Sequence, residues 1–259
     1  MTSATRDGSG RQAWIDYAKG IGIALVVLGH ANRSIGRTSG LVWPESLQTL
    51  DHVIYAFHMP LFFALAGFAS GLSRSRTWDG LKRGLVWGVI VPYVIWSVVW
   101  VGLKSAAPGA TNNPIGLSAL LDIWRTPIEH MWFLYHLLIA RLLWFVIEKM
   151  RSDSFSKACV VLAAFLSFVL RYSDAQWDNL AGIAESCTAF GIGLLILPQI
   201  LETFALDGAK TAAGLFAAFL LVLSLGSVSP SADALRPLAA ILGAAAVIAL
   251  SRSLPAPAS

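Results

Sequence analysis

Three ionisable residues lie in one early apolar stretch, Trp14 to His30, and their spacing is suited to chemistry: Asp16, Lys19 and His30. On a helix, the eleven residues from Lys19 to His30 make three turns plus about 20°. Both side chains therefore leave nearly the same face, about 16 Å apart along the axis. Asp16 lies three residues before Lys19, a spacing at which the two can pair. A histidine suits proton transfer near neutral pH. Against these readings stand a snorkelling Asp–Lys pair at a helix mouth and a histidine that bonds to a neighbouring helix.

A second dense stretch is Phe57-His-Met-Pro-Leu-Phe-Phe63, with Gly67 beyond it. Pro60 removes a backbone donor and can kink a helix, and His58 beside it is a candidate for a polar cavity. A third stretch runs from Glu129 and His130 through Trp132 to His136. Glu129, His130 and Trp132 are candidates for substrate binding or for an interfacial anchor. Arg141, inside the same apolar run, needs an acceptor and is either a structural partner or a binding group. Arg74, Arg76, Lys82 and Arg83 form a basic cluster that suits the phosphates of a cytosolic cofactor, although membrane topology alone also accounts for them. Glu185 lies inside an apolar run, and Asp51 and His52 read as solvated groups at the outer surface.

The elements that must position these residues are spanning helices. The chain has 259 residues, of which 56% are hydrophobic and only 13% charged; a soluble domain is nearer a quarter charged. The expected fold is all-α, a polytopic transmembrane bundle forming one domain over 1–259. About eight spans are expected, near 14–32, 53–72, 84–104, 131–148, 156–172, 180–201, 211–228 and 235–251. The connections at 33–51 and 105–129 read as loops carrying short interfacial helices. Asp16 and Lys19 interrupt the first apolar run, so it reads as an uncleaved span.

Basic residues test the orientation. Arg6, Arg11, Arg74, Arg76, Lys82, Arg83, Lys149, Arg151, Lys157, Lys210 and Arg252 fall on one side of such a bundle, and Arg33, Arg37, Lys104, Arg125, Arg171 and Arg236 on the other. The richer side is expected to be cytoplasmic and to hold both termini. His30, His58, Glu129 and His130 would then line one cavity in the outer half, with Lys19 and Asp16 nearer the cytosol. The net charge of +4 is accounted for by these loops, so nucleic acid is not an expected partner. Cys159 and Cys187 lie in apolar runs, and neither a disulfide framework nor a metal site follows from them.

Three blocks, taken together, resemble the acyltransferase-3 family of integral-membrane acyltransferases, nearest its fucose 4-O-acetylase-like branch. They are Asp16-Tyr-Ala-Lys-Gly-Ile-Gly22 with His30 eleven residues after Lys19, Phe57 to Gly67, and Trp132-Phe-Leu134. The resemblance implies transfer of an acyl group, usually acetyl from acetyl-CoA as co-substrate, to a hydroxyl of lipopolysaccharide, capsule or exopolysaccharide sugar. No permanently bound cofactor is expected. It also implies that Lys19 and His30 are the essential pair and that His58 is the second-helix histidine.

In that reading His30 is the general base and Lys19, with Asp16, holds a CoA phosphate or biases the histidine. His58 either donates to the developing oxyanion or relays a proton. A covalent acyl-histidine is the alternative route. The resemblance also implies further spans and a closing helix opened by a Gly-Arg-Asn-Ser-like turn. The sequence ends at Ser259 without them, so a short form or truncated product is expected. The rival readings are a transporter of a sugar or lipid-linked sugar and an inactive truncated relative.

Overall fold

The computed structural model describes residues 12–38, 42–72, 77–106, 115–150, 152–172, 178–204, 206, 208–227 and 234–255. Ten α-helices are present among these residues: α1 Ala13–Gly36, α2 Glu45–Leu72, α3 Trp78–Leu85, α4 Val91–Ala106, α5 Trp132–Lys149, α6 Asp153–Tyr172, α7 Asp178–Gly191, α8 Leu197–Thr203, α9 Ala209–Ser227 and α10 Arg236–Ser253. Single π-helical turns, Val86–Ile90 and Ile192–Ile196, join α3 to α4 and α7 to α8. Seven helical stretches are long and apolar enough to cross a membrane: Glu45–Leu72, Trp78–Ala106, Glu129–Lys149, Asp153–Arg171, Asn179–Thr203, Ala209–Gly226 and Arg236–Ser253. The eighth expected span, α1, has 24 residues, or about 36 Å of helix. Its ionisable residues lower its average apolarity, and it is not among the seven.

The connection expected over 33–51 is much shorter in the structure. The first helix runs on to Gly36 and the second begins at Glu45. Side chains close this corner. The buried Asn32 donates to the Leu47 carbonyl at 2.6 Å and accepts from Trp43 Nε1 at 3.2 Å. Trp43 lies against Gly36, where a Cβ would meet its ring at 2.5 Å. In the other long connection, Leu117–Leu121 forms a short 3-10 helix.

The helices group into two compact units, 1–69 with 192–259, and 70–191. The first holds α1, α2, α8, α9 and α10. Its core contains Trp14, Phe57, Leu61, Phe68, Phe219 and Val247. Helices in lipid associate through close van der Waals packing, which small residues permit. Phe57 packs edge-on against Phe219 with centroids 5.3 Å apart, and also against Gly243, where a Cβ would lie 2.6 Å from its ring. Gly193 lies still closer to its neighbour: a Cβ there would be 1.9 Å from the Ala64 carbonyl oxygen. Helix α2 continues through Pro60, whose missing N–H leaves the Ala56 carbonyl without its helical donor. Tyr17 donates to the Pro255 carbonyl at 2.8 Å, so α1 starts and α10 finishes at the same end of this unit.

The second unit holds α3 to α7. Trp144, 1% exposed, donates its indole N–H to the Cys187 carbonyl at 2.9 Å and lies against Gly191. The buried His136 places Nδ1 3.0 Å from Ser186 Oγ and Nε2 3.3 Å from Asn179 Oδ1, which joins α5 to α7. Glu185, unassigned in the sequence, pairs with Arg171 at 2.5 Å.

Candidate functional site

The strongest polar constellation lies between α1 and α2. His30 is half-buried on α1, and its Nδ1 lies 3.3 Å from the Tyr55 hydroxyl. His58 is 2% exposed, and its ring stands edge-on to Tyr55 with centroids 4.7 Å apart. His58 Nδ1 is 2.8 Å from the Ile54 carbonyl. A carbonyl can only accept, so Nδ1 carries the hydrogen, and neutral His58 offers an acceptor at Nε2. That arrangement fits a proton relay; donation to an oxyanion through Nε2 would require the charged imidazolium.

The Arg33 guanidinium lies over the Tyr55 ring, 3.1 Å from its centroid. The same guanidinium donates to both carboxylate oxygens of Asp51, Nε to Oδ1 at 2.8 Å and Nη2 to Oδ2 at 3.0 Å. Such a fork fixes orientation as well as charge. The expectation that Asp51 is a solvated surface group is therefore corrected: its side chain is 13% exposed and paired. His30 and Arg33 are three residues apart on α1, while Asp51, Tyr55 and His58 follow at four and three on α2. Each set occupies one helical face, but only the packing of α1 on α2 brings the two faces together.

Asp16 and Lys19 are half-buried near the start of α1. The ion pairs found among the described residues do not include one between Asp16 and Lys19, and Asp16 is not without an interaction.

The remaining candidates, Glu129 and His130 among them, belong to the second unit. Glu129 pairs with the buried Lys104, whose side chain is 9% exposed. Glu129 has a φ of 47°, the left-handed region, and is the one non-glycine residue with positive φ among those described. His130 is exposed and stands edge-on to Trp100, with centroids 6.1 Å apart. Trp132 packs edge-on against His136 at 5.2 Å.

Arg141 is separate from these residues, nine positions beyond Trp132, or about 13 Å along a helix. Its Nη1 donates to the Gly84 carbonyl at 3.4 Å, next to α3. Lys82 and Arg83 on α3 are exposed, and Lys82 pairs with Asp79 at 3.5 Å. Arg141 thus lies beside the basic residues proposed for a cofactor, not beside Glu129 and His130. Arg74 and Arg76 lie outside the described residues.

The apolar helices define a polytopic helical membrane protein, and the two histidines that meet Tyr55 form a candidate acid–base site. The family description "Acyltransferase domain" matches residues 12–259, and the chain belongs to the acyltransferase-3 family. It is 32% identical to Nodulation protein NolL of Sinorhizobium fredii (strain NBRC 101917 / NGR234) over 144 residues, covering 54% of this chain and 38% of that protein. It is also 32% identical to Nodulation protein NolL of Mesorhizobium japonicum (strain LMG 29417 / CECT 9101 / MAFF 303099) over 138 residues, covering 51% and 35%. The matched region thus spans less than half the length of these relatives. Comparison with solved structures gives no match.

Proposed function

We propose that the chain is an O-acyltransferase that moves an acetyl group from acetyl-CoA to a hydroxyl of a cell-surface or exported carbohydrate. The observation that carries this reading is His30, half-buried on the polar stripe of α1 in a family-matched chain and within hydrogen-bond reach of Tyr55. A histidine so held is suited to general-base work, typically worth ~10²–10⁴ in rate. His30 takes the proton of the acceptor hydroxyl as its oxygen attacks the thioester carbonyl. The C–S bond then breaks, and the CoA thiolate leaves and takes a proton from the imidazolium. The products are the ester and free CoA, and His30 returns to neutral.

Lys19 lies about 16 Å along the helix from His30. It is positioned to hold a phosphate of the donor, with the pantetheine arm extended along α1 toward the base. His58 relays a proton through Nε2. The protein resides in the cytoplasmic membrane with its N-terminus in the cytosol, and the acceptor approaches from the outer side. The direct test incubates purified protein in detergent with radiolabelled acetyl-CoA and candidate glycans. Labelled glycan, lost in His30→Ala, is the expected result. Equal labelling by wild type and His30→Ala would remove His30 from the mechanism. Flux of an unmodified substrate without labelling would identify a transporter instead.

A further inference from the structure

We propose that Tyr55 is the positioning residue of this site: its hydroxyl accepts the Nδ1–H of His30, and the Arg33–Asp51 pair clamps the phenol ring that carries it. The role assigned to His30 rests on the acyltransfer reading; the clasp itself rests on geometry.

The ring is held from three sides. The Arg33 guanidinium covers one face at 3.1 Å from the centroid. The His58 ring packs against it edge-on at 4.7 Å. At the third side is Gly29, where a Cβ would come within 3.0 Å of Tyr55 Cε2, so the absent side chain lets the ring lie against α1. Arg33 is itself fixed by two hydrogen bonds to Asp51. Asp51 and Tyr55 are one turn apart on α2, as His30 and Arg33 are on α1. The two helices are therefore clasped twice, one turn apart, and the phenol itself makes the second clasp.

This arrangement has two chemical consequences. A Nδ1–H committed to Tyr55 leaves the Nε2 lone pair of His30 as the proton acceptor and fixes the plane in which it lies. Asp51 also balances Arg33, so a proton arriving on His30 does not meet a bare cation. Arg33, Arg37 and Asp51 are the charged groups acting on Tyr55, and His58 is its titratable neighbour.

The test uses full-length protein labelled with ¹⁵N-histidine in detergent, with His30 assigned by its loss in His30→Asn. Tyr55→Phe keeps the ring and its packing and removes only the hydroxyl. In wild type, the His30 nitrogens are expected to report a Nδ1–H tautomer. In Tyr55→Phe they shift toward a tautomer mixture, kcat falls by about tenfold to a hundredfold, and KM for acetyl-CoA stays within about twofold. An unchanged His30 spectrum in Tyr55→Phe would overturn the positioning role, as would an unchanged kcat in an active protein. A shifted spectrum in a protein whose wild type transfers no acyl group would sustain the clasp and overturn the acyltransfer reading instead.

Discussion

Arg33 and Asp51 meet as a two-pronged pair, 2.8 and 3.0 Å, across the corner between the first two helices. The arginine side chain is 36% exposed and the carboxylate 13%, so solvent screens the pair in part. A double-mutant cycle with Arg33→Gln and Asp51→Asn is expected to give a coupling energy of about 1 kcal/mol. Thermal unfolding in detergent measures it, and a coupling near zero would mean the fork does not hold the corner.

Gly193 has no room for a side chain. A Cβ there would lie 1.9 Å from the Ala64 carbonyl oxygen, and backbone cannot rotate away as a side chain can. Gly193→Ala is expected to destabilise by more than about 3 kcal/mol. Gly214→Ala in α9 is the control, because nothing lies within 4 Å of the added atom; it should be neutral or stabilising by up to about 1 kcal/mol. Equal melting temperatures for the two variants would contradict the close approach of the two backbones.

Lys104 and Glu129 form a largely buried ion pair, with side chains 9% and 23% exposed. Lys104→Met leaves Glu129 without this partner and is expected to cost about 3 kcal/mol. The double variant Lys104→Met/Glu129→Gln should recover part of that loss, because no uncompensated charge remains. A double variant less stable than Lys104→Met would show that Glu129 has a second role. The left-handed backbone at Glu129 is a separate cost, typically about 1–3 kcal/mol at a non-glycine position, and Glu129→Gly would relieve it while losing the pair.

Lys19 supplies charge for the donor rather than chemistry in the proposed mechanism. Lys19→Gln is therefore expected to raise KM for acetyl-CoA by about tenfold while kcat changes by less than about threefold. Steady-state kinetics at saturating glycan separate the two. A fall in kcat with KM unchanged would place Lys19 in the transition state instead.

Much of the fold could be read from the sequence, because a bilayer leaves few options for a chain this apolar. The fifth apolar segment, expected at 156–172, is α6, Asp153–Tyr172. The first helix is where hydropathy is weakest as a guide, since Asp16, Lys19 and His30 both lower its apolarity and carry its interest. His30 and His58 were identifiable because ionisable groups are rare in such segments. Tyr55 was not, since a tyrosine near a span end is expected as an interfacial anchor. The pairing of Asp51 is hidden for a related reason: its partner Arg33 lies eighteen residues away, beyond any local rule of spacing. The link between Arg141 and Gly84 likewise depends on which helices become neighbours, and hydropathy does not decide that.

The two π-helical turns give the chain a tolerance to changes of length that its other helices lack. A turn such as Val86–Ile90 holds one residue more than an α-helical turn needs. Removing one residue there would restore ordinary winding and keep Lys104 facing Glu129. The same deletion between Ile95 and Val99, inside α4, would swing Lys104 by about 100° around the axis. Single-residue deletions through this helix should thus divide sharply, with folded protein from losses inside 86–90 and little from losses a turn or two later.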